Sequence, residues 1–203
     1  MGTYRTKLLI GLLLTCVFQL LAETKLADIY DSVLIKYATV KYYEADFEQE
    51  NYWKEMDVMQ KSAGRVYFDF DNFLMEYAEP KGQFILVQND TVTLYDAASN
   101  QAIISNNMGI ELRPVKLISE YWENSQKQLE YSEGNVVKLL MQTDAERISL
   151  TLENYMLVEL LIQDNDDNFV VYKFKNAKIN EELPPHIFQK KIPDDANLID
   201  QTK

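Results

Sequence analysis

Residues 43–96 read YEADFEQENYWKEMDVMQKSAGRVYFDFDNFLMEYAEPKGQFILVQNDTVTLYD. Tyr43, Ala45 and Phe47 alternate with Glu44, Asp46 and Glu48. Val66, Phe68 and Phe70 alternate with Arg65, Tyr67 and Asp69, and Phe73, Met75 and Tyr77 with Leu74 and Glu76. Successive side chains of a strand point to opposite faces, so this alternation predicts consecutive half-buried strands sharing one apolar face. Pro80-Lys81-Gly82 and Asn89-Asp90 are the turn signals between them. An antiparallel sheet with one apolar face must cover that face, and what covers it decides function.

Working outward, the pattern predicts strands at 43–53, 62–70, 73–78, 83–88, 91–96 and 101–105, then at 128–132, 136–142, 147–153, 156–163 and 168–178. The polar segment 54–61 reads as a long hairpin loop. Pro184-Pro185 breaks the chain, and a last short strand is expected near 187–191. Two helices accompany about eleven main strands. Leu26, Ile29, Tyr30, Val33, Leu34 and Tyr37 form one stripe at helical spacing. Pro114, followed by Val115, Leu117, Ile118, Tyr121 and Trp122, marks a short helix with proline in its first turn. With no internal repeat and no linker, residues 23–203 read as one domain.

The N-terminus has the form of an export signal. Arg5 and Lys7 precede the apolar run Leu8–Leu21, Ala22 offers a small residue for cleavage, and Glu23 opens a polar chain. The run falls short of the about 20 apolar residues that span a bilayer. Residues 1–22 are therefore expected to be removed, with cleavage near Ala22, and the protein to be exported. Cys16 is the only cysteine. Lipid attachment there and loss with the leader are both open; Thr15 before it and the apolar run after it favour loss.

Thirty-two acidic against 20 basic residues give a net charge of −12, with no dense basic patch. A phosphate backbone would be repelled, which excludes nucleic acid as a partner. Catalytic signals are weak. His186, the only histidine, sits beside two prolines with no partner pattern. Asp164-Asn165-Asp166-Asp167-Asn168 resembles the start of a calcium loop, but Phe169 and Lys175 stand where such a loop needs Gly and Glu. Neither a zinc-like spacing nor a phosphate-cradling glycine loop occurs. No cofactor, no metal and no enzymatic activity are expected.

What remains is apolar area. A helix is about 10–12 Å across and strands lie about 4.8 Å apart, so one helix covers about two or three strands. Two helices over about eleven strands leave room for an apolar ligand site.

In this setting an ordered set of short pieces resembles a known family. Ala45-Asp46-Phe47-Glu48-Gln49 follows the first helix; then come Gly64 with Val66–Phe70, Asn72-Phe73, Glu76-Tyr77 and Pro80. Phe84-Ile85-Leu86-Val87, Asn89-Asp90 and Leu94-Tyr95-Asp96 continue it. Phe174-Lys175-Asn176, Asn180, Phe188, Pro193 and Ile199-Asp200 close it. In their order these pieces resemble the periplasmic outer-membrane lipoprotein carrier protein, LolA. The resemblance implies an unclosed antiparallel half-barrel, mainly β, covered by a helical lid. It also implies that the barrel binds acyl chains of lipoproteins and passes them from an inner-membrane ABC transporter to an outer-membrane receptor. One departure stands out. Many members carry Arg-Pro-Asn where this chain has Phe70-Asp71-Asn72, and their arginine latches the lid; that latch is not expected here.

On this reading Phe47, Val66, Phe68, Phe70, Phe73, Met75 and Leu94 line the concavity, continued by Ile148, Leu150, Val158, Leu160, Tyr172 and Phe174. Leu26, Ile29, Tyr30, Val33, Leu34, Leu117, Ile118 and Trp122 belong to the lid. A monomer is expected. A module of the same fold for another lipid, or a membrane-anchored receptor, is the alternative.

Overall fold

The computed structural model describes residues 25–89, 91–106 and 113–202. The expected export signal and Cys16 lie outside them. Helix α1 spans residues 25–38. Strands β1 (Tyr43–Trp53), β2 (Val58–Phe68), β3 (Asn72–Glu79), β4 (Phe84–Gln88), β5 (Thr91–Asp96) and β6 (Gln101–Ser105) follow. After helix α2 (Pro114–Asn124) come β7 (Gln126–Glu133), β8 (Val136–Gln142), β9 (Glu146–Glu153), β10 (Met156–Asp164), β11 (Phe169–Ile179) and β12 (Asn197–Asp200).

The twelve strands form one unclosed sheet in the order β12-β6-β5-β4-β3-β2-β1-β11-β10-β9-β8-β7. Two antiparallel meanders, β1–β6 and β7–β11, join through the long β1–β11 pair, and only β12 runs parallel to its neighbour β6. The mainly β half-barrel architecture is therefore present. Register shifts at Glu44/Asp46, Ala63/Gly64, Leu129/Tyr131 and Leu157/Glu159 interrupt the ladder. Such bulges bend a strand and increase its twist, which lets a wide sheet curl. Two of them have visible chemical causes. Asn176 takes a φ of 55° in β11 beside the first, a conformation asparagine tolerates, and its Nδ2 donates to Asp46 Oδ2 at 2.8 Å. At the second, a Cβ on Gly64 would lie 2.1 Å from the Glu76 carbonyl oxygen, so only glycine lets β2 and β3 approach there.

Both faces of the sheet carry cores. The inner core joins Ile29, Val33 and Tyr37 of α1 and Leu117 and Ile118 of α2 to the strand residues of the predicted apolar face. Opposite it, Tyr67, Leu74, Phe84, Leu86, Tyr95 and Ala102 form a second core, covered by Leu183, Ile187, Phe188, Ile192 and Ala196. Elsewhere the outer face is polar. Arg65 pairs with Glu44 and Asp46, Lys175 with Glu48, Lys61 with Glu50, and Lys178 with Glu44.

Three expectations need correction. The loop at 54–61 shrinks to a turn at 54–57, because Val58–Lys61 pair with Glu50–Trp53. This end of the hairpin is exposed, so polar side chains suit it. The second strand ends at Phe68 rather than 70, where Asp69 Oδ1 accepts from the amides of Asp71 (2.9 Å) and Asn72 (2.8 Å) and turns the chain. Residues 187–191 are not a strand but pack over the second core, and the last strand forms instead at Asn197–Asp200. The sheet thus has eleven main strands and a short last one, the expected number.

Candidate functional site

Between helices and sheet lies a cavity of about 40 Å³. Tyr37 of α1 and Pro114 and Leu117 of α2 close it from above. Tyr43, Val66, Phe68, Phe73, Met75, Leu157, Leu160, Tyr172 and Phe174 line it from the sheet. Among the described residues no charged side chain takes part. At roughly 10–15 Å³ per water-sized probe it holds only a few small groups. The lid is thus folded down onto the sheet.

Aromatic rings make much of the wall. Phe68 stacks on Tyr43 with ring centroids 4.5 Å apart and on Tyr37 at 6.3 Å, and Tyr172 stacks on Phe174 at 6.4 Å. Burial pushes the Tyr43 and Tyr172 phenols up to about 12, the mark of a dry, weakly polar environment. Burial also raises Tyr37, whose hydroxyl accepts a hydrogen bond from the Leu157 amide at 3.2 Å. At the far end of the same face, Tyr77 donates to Gln49 Oε1 at 2.8 Å and Gln49 Nε2 donates to Asn51 Oδ1 at 3.0 Å, so the apolar floor ends in a satisfied polar group.

Several side-chain contacts tie the lid helices to each other and to the sheet. Tyr30 of α1 lies flat on Trp122 of α2, centroids 4.4 Å apart and planes 4° from parallel, and its hydroxyl donates to Ser119 Oγ at 3.0 Å. Lys127 Nζ approaches the Trp122 ring at 5.6 Å. Tyr121 donates to Glu146 Oε1 at 2.6 Å and fastens α2 to β9. Asn180 secures the exit of α1: its Oδ1 accepts from the Lys41 amide at 2.6 Å and its Nδ2 donates to the Thr39 carbonyl at 2.9 Å. Arg65 points away, into the ion pairs of the outer face.

Of the expected lining residues, Val66, Phe68, Phe73, Met75, Leu160, Tyr172 and Phe174 meet around the cavity. Phe47, Ile148 and Leu150 are buried in the inner core beside it. Leu94 lies outside the cavity wall, half-buried on β5. Two placements are wrong. Phe70 is 93 % exposed, because the chain turns at Asp69 before the alternation reaches it. Val158 sits at the bulge between Leu157 and Glu159, which hands the cavity position to Leu157. In the lid, Ile29, Val33, Leu117 and Ile118 are buried, and Leu26, Tyr30 and Trp122 are half-buried against the inner core. Leu34 is also half-buried and faces a cleft beside the cavity. Tyr37, Tyr43, Leu157 and Pro114 were not anticipated as lining. The helical stripe and the strand alternation already contained the first two; nothing marked Leu157.

Asp164 Oδ1 accepts from the amides of Asp166 and Asn168, both at 2.9 Å, so this acidic run is a hairpin turn. Among the described residues no group of three His, Cys, Asp or Glu side chains could hold a metal ion, and no helix is long and apolar enough to cross a membrane.

A family model described as outer membrane lipoprotein carrier protein LolA matches residues 38–191, well over half of the chain. The chain belongs to this family. No curated protein matches the sequence. Among solved structures, an uncharacterized conserved protein from Thermus thermophilus shares the fold with a TM-score of 0.57 at 17 % identity, covering 87 % of this chain and 99 % of that one. A LolA superfamily protein from Nitrosomonas europaea matches with a TM-score of 0.42 at 13 % identity, over 79 % of this chain and 97 % of its own. The lipoprotein LppX of Mycobacterium tuberculosis gives 0.47 at 10 % identity, over 80 % and 99 %. Family membership thus rests on the sequence match, and the Thermus structure supports the fold.

Proposed function

We propose that this protein is a periplasmic carrier that takes up the acyl chains of lipoproteins between lid and sheet. On this reading it receives them from an inner-membrane ABC transporter and delivers them to an outer-membrane receptor. The observation that carries this is the wall of the cavity: among the described residues, side chains from both lid helices and the sheet line it, none of them charged, with the rings of Tyr37, Tyr43 and Tyr172 among them. Each CH₂ moved from water into such surroundings contributes about 0.8 kcal/mol, so a long acyl chain supplies ample affinity. The small volume requires the lid to lift as the chain enters. The Tyr30–Trp122 stack and the bond from Leu157 to Tyr37 are worth only about 1 kcal/mol each; the larger cost of lifting is exposure of Ile29, Val33, Leu117 and Ile118, which the entering chain offsets by covering them.

Phe73 is the place to test it. A Phe73→Glu variant sets a carboxylate into the cavity wall and should abolish release of lipoproteins from inner-membrane vesicles, where the wild-type protein releases them into solution. Release at the wild-type level by the variant would remove Phe73 from the site. Wild-type protein that releases nothing would refute the carrier role.

A further inference from the structure

Beside the cavity lies an open cleft of about 560 Å³. It shares Tyr37, Phe68 and Pro114 with the cavity, so these three side chains form the partition between the two spaces. The apolar side of the cleft includes Leu34 of α1, Val115 of α2 and Phe70 of the β2–β3 turn. Its rim carries both signs of charge, with Asp69 and Asp71 in the turn and Arg113 and Lys116 at the start of α2.

Among the described residues Phe70 is the most exposed large apolar side chain, at 93 %. It does not hang on a loose loop. Asp69 Oδ1 accepts from the amides of Asp71 and Asn72 and from Asn72 Nδ2, and Asn72 Oδ1 in turn accepts from Gln88 Nε2 at 2.8 Å. The turn therefore holds an apolar ring in water, beside a cleft that Tyr37, Phe68 and Pro114 separate from the cavity. Left in water, such a ring adds nothing to folding, and its place at the edge of the cleft makes it available to an apolar ligand. The two acidic residues of the rim offset its two basic ones, so the rim is not the basic cluster that an anionic lipid surface attracts. A chain that is apolar along its length and polar at one end fits better: its tail passes Phe70 toward the partition, and its polar end stays at the charged rim.

We propose that this cleft is the port through which an acyl chain enters and leaves, with Phe70 as its first apolar contact. The proposal rests on the carrier reading above and adds the route to that site. On it, chains pass inward when Tyr37, Phe68 and Pro114 part.

The test uses cis-parinaric acid, a long-chain fatty acid that fluoresces in apolar surroundings, in stopped-flow mixing with the wild-type, Phe70→Asp and Phe70→Leu proteins. Phe70→Asp should slow association about tenfold and slow dissociation to a similar extent, leaving Kd little changed, while Phe70→Leu stays within about twofold of wild type. Equal association rates for wild type and Phe70→Asp would overturn the port while leaving the carrier reading intact. A change confined to dissociation would make Phe70 part of the bound site and would equally overturn it. Wild-type protein that takes up no probe would remove both the carrier reading and the port. Sedimentation with phosphatidylglycerol vesicles should be the same for all three proteins. Loss of vesicle binding in Phe70→Asp with unaltered probe uptake would assign the residue to membrane contact and overturn the port.

Discussion

The inner face of the sheet is covered by α1 and α2, and the outer face of β3–β6 by the segment 181–202, and the two covers are attached in different ways. The helices reach each other and the sheet through side chains: Tyr30 on Trp122, Tyr30 to Ser119, Tyr121 to Glu146 and the Leu157 amide to Tyr37. The C-terminal segment packs Leu183 to Ala196 on the outer core through side chains and is then anchored through its backbone. β12 pairs with β6 along its length, the Asn197 amide donates to the Asn100 carbonyl at 2.9 Å, and the Gln201 amide to the Ile104 carbonyl at 2.8 Å. A cavity remains under the first cover. A cover held by a few side-chain contacts can lift without breaking the sheet, whereas one woven into the ladder can leave only by unfolding an edge.

The largest effects should come from the two cores beneath these covers, and they should be alike. Leu150, under the lid, and Leu74, under the C-terminal segment, are both fully buried. Leu150→Ala and Leu74→Ala should each cost about 2–5 kcal/mol of global stability in urea titrations. A small loss for Leu74→Ala alone would mean that the C-terminal segment is an accessory and would break the symmetry claimed for the two cores.

Alkaline pH should weaken the inner face. Tyr43 and Tyr172 are raised by burial from 10.0 to about 12. Above pH 10 the unfolded chain loses these protons first, so the unfolded state binds fewer protons and stability falls as pH rises. Their contribution is intact below pH 10 and drains away between pH 10 and about 12, by up to about 3 kcal/mol for each phenol. Tyr43→Phe and Tyr172→Phe should flatten that fall in pH-dependent melts. An equally steep fall in the double variant would place its origin elsewhere.

Trp122→Ala should sharpen the contrast further. Losing an aromatic pair worth about 0.5–1.5 kcal/mol should speed local amide exchange in residues 25–38 roughly two- to tenfold, with exchange in 181–202 unchanged. Acceleration in both segments would mean that the lid does not open by itself. The smallest effect is expected from Lys190, whose Nζ pairs with Glu76 Oε1 at 2.6 Å near the surface. Lys190→Met should cost no more than about 1 kcal/mol, with the loss reduced in high salt.

Most of the sheet was legible because period-two alternation survives wherever one face is buried. It misled where the backbone departed from the ladder. Phe70 continues the parity of Val66 and Phe68, but Asp69 has already turned the chain. Val158 has the parity of Leu160, but a bulge gives its place to Leu157. The outer core was not legible, because Leu183, Ile187, Phe188 and Ile192 follow no period and meet β3–β6 only through distant pairing. Among the family-like pieces, three asparagines have local backbone work that explains their presence. Asn72 anchors the β2–β3 turn, Asn176 sits at a bulge, and Asn180 ties the exit of α1 to the end of β11. The clasp of Tyr30, Ser119 and Trp122 joins residues far apart in sequence, so no local pattern announced it.

The most direct test of the account is hydrogen exchange of the wild-type protein with and without a purified acylated lipoprotein, with the same lipoprotein stripped of its acyl chains as control. The acylated form should alter exchange in residues 25–38 and 114–124 and at the cavity-lining strands, and leave 181–202 unchanged, while the stripped form does nothing. Identical responses to the two forms, or a response confined to the C-terminal segment, would contradict a carrier that grips acyl chains beneath its lid.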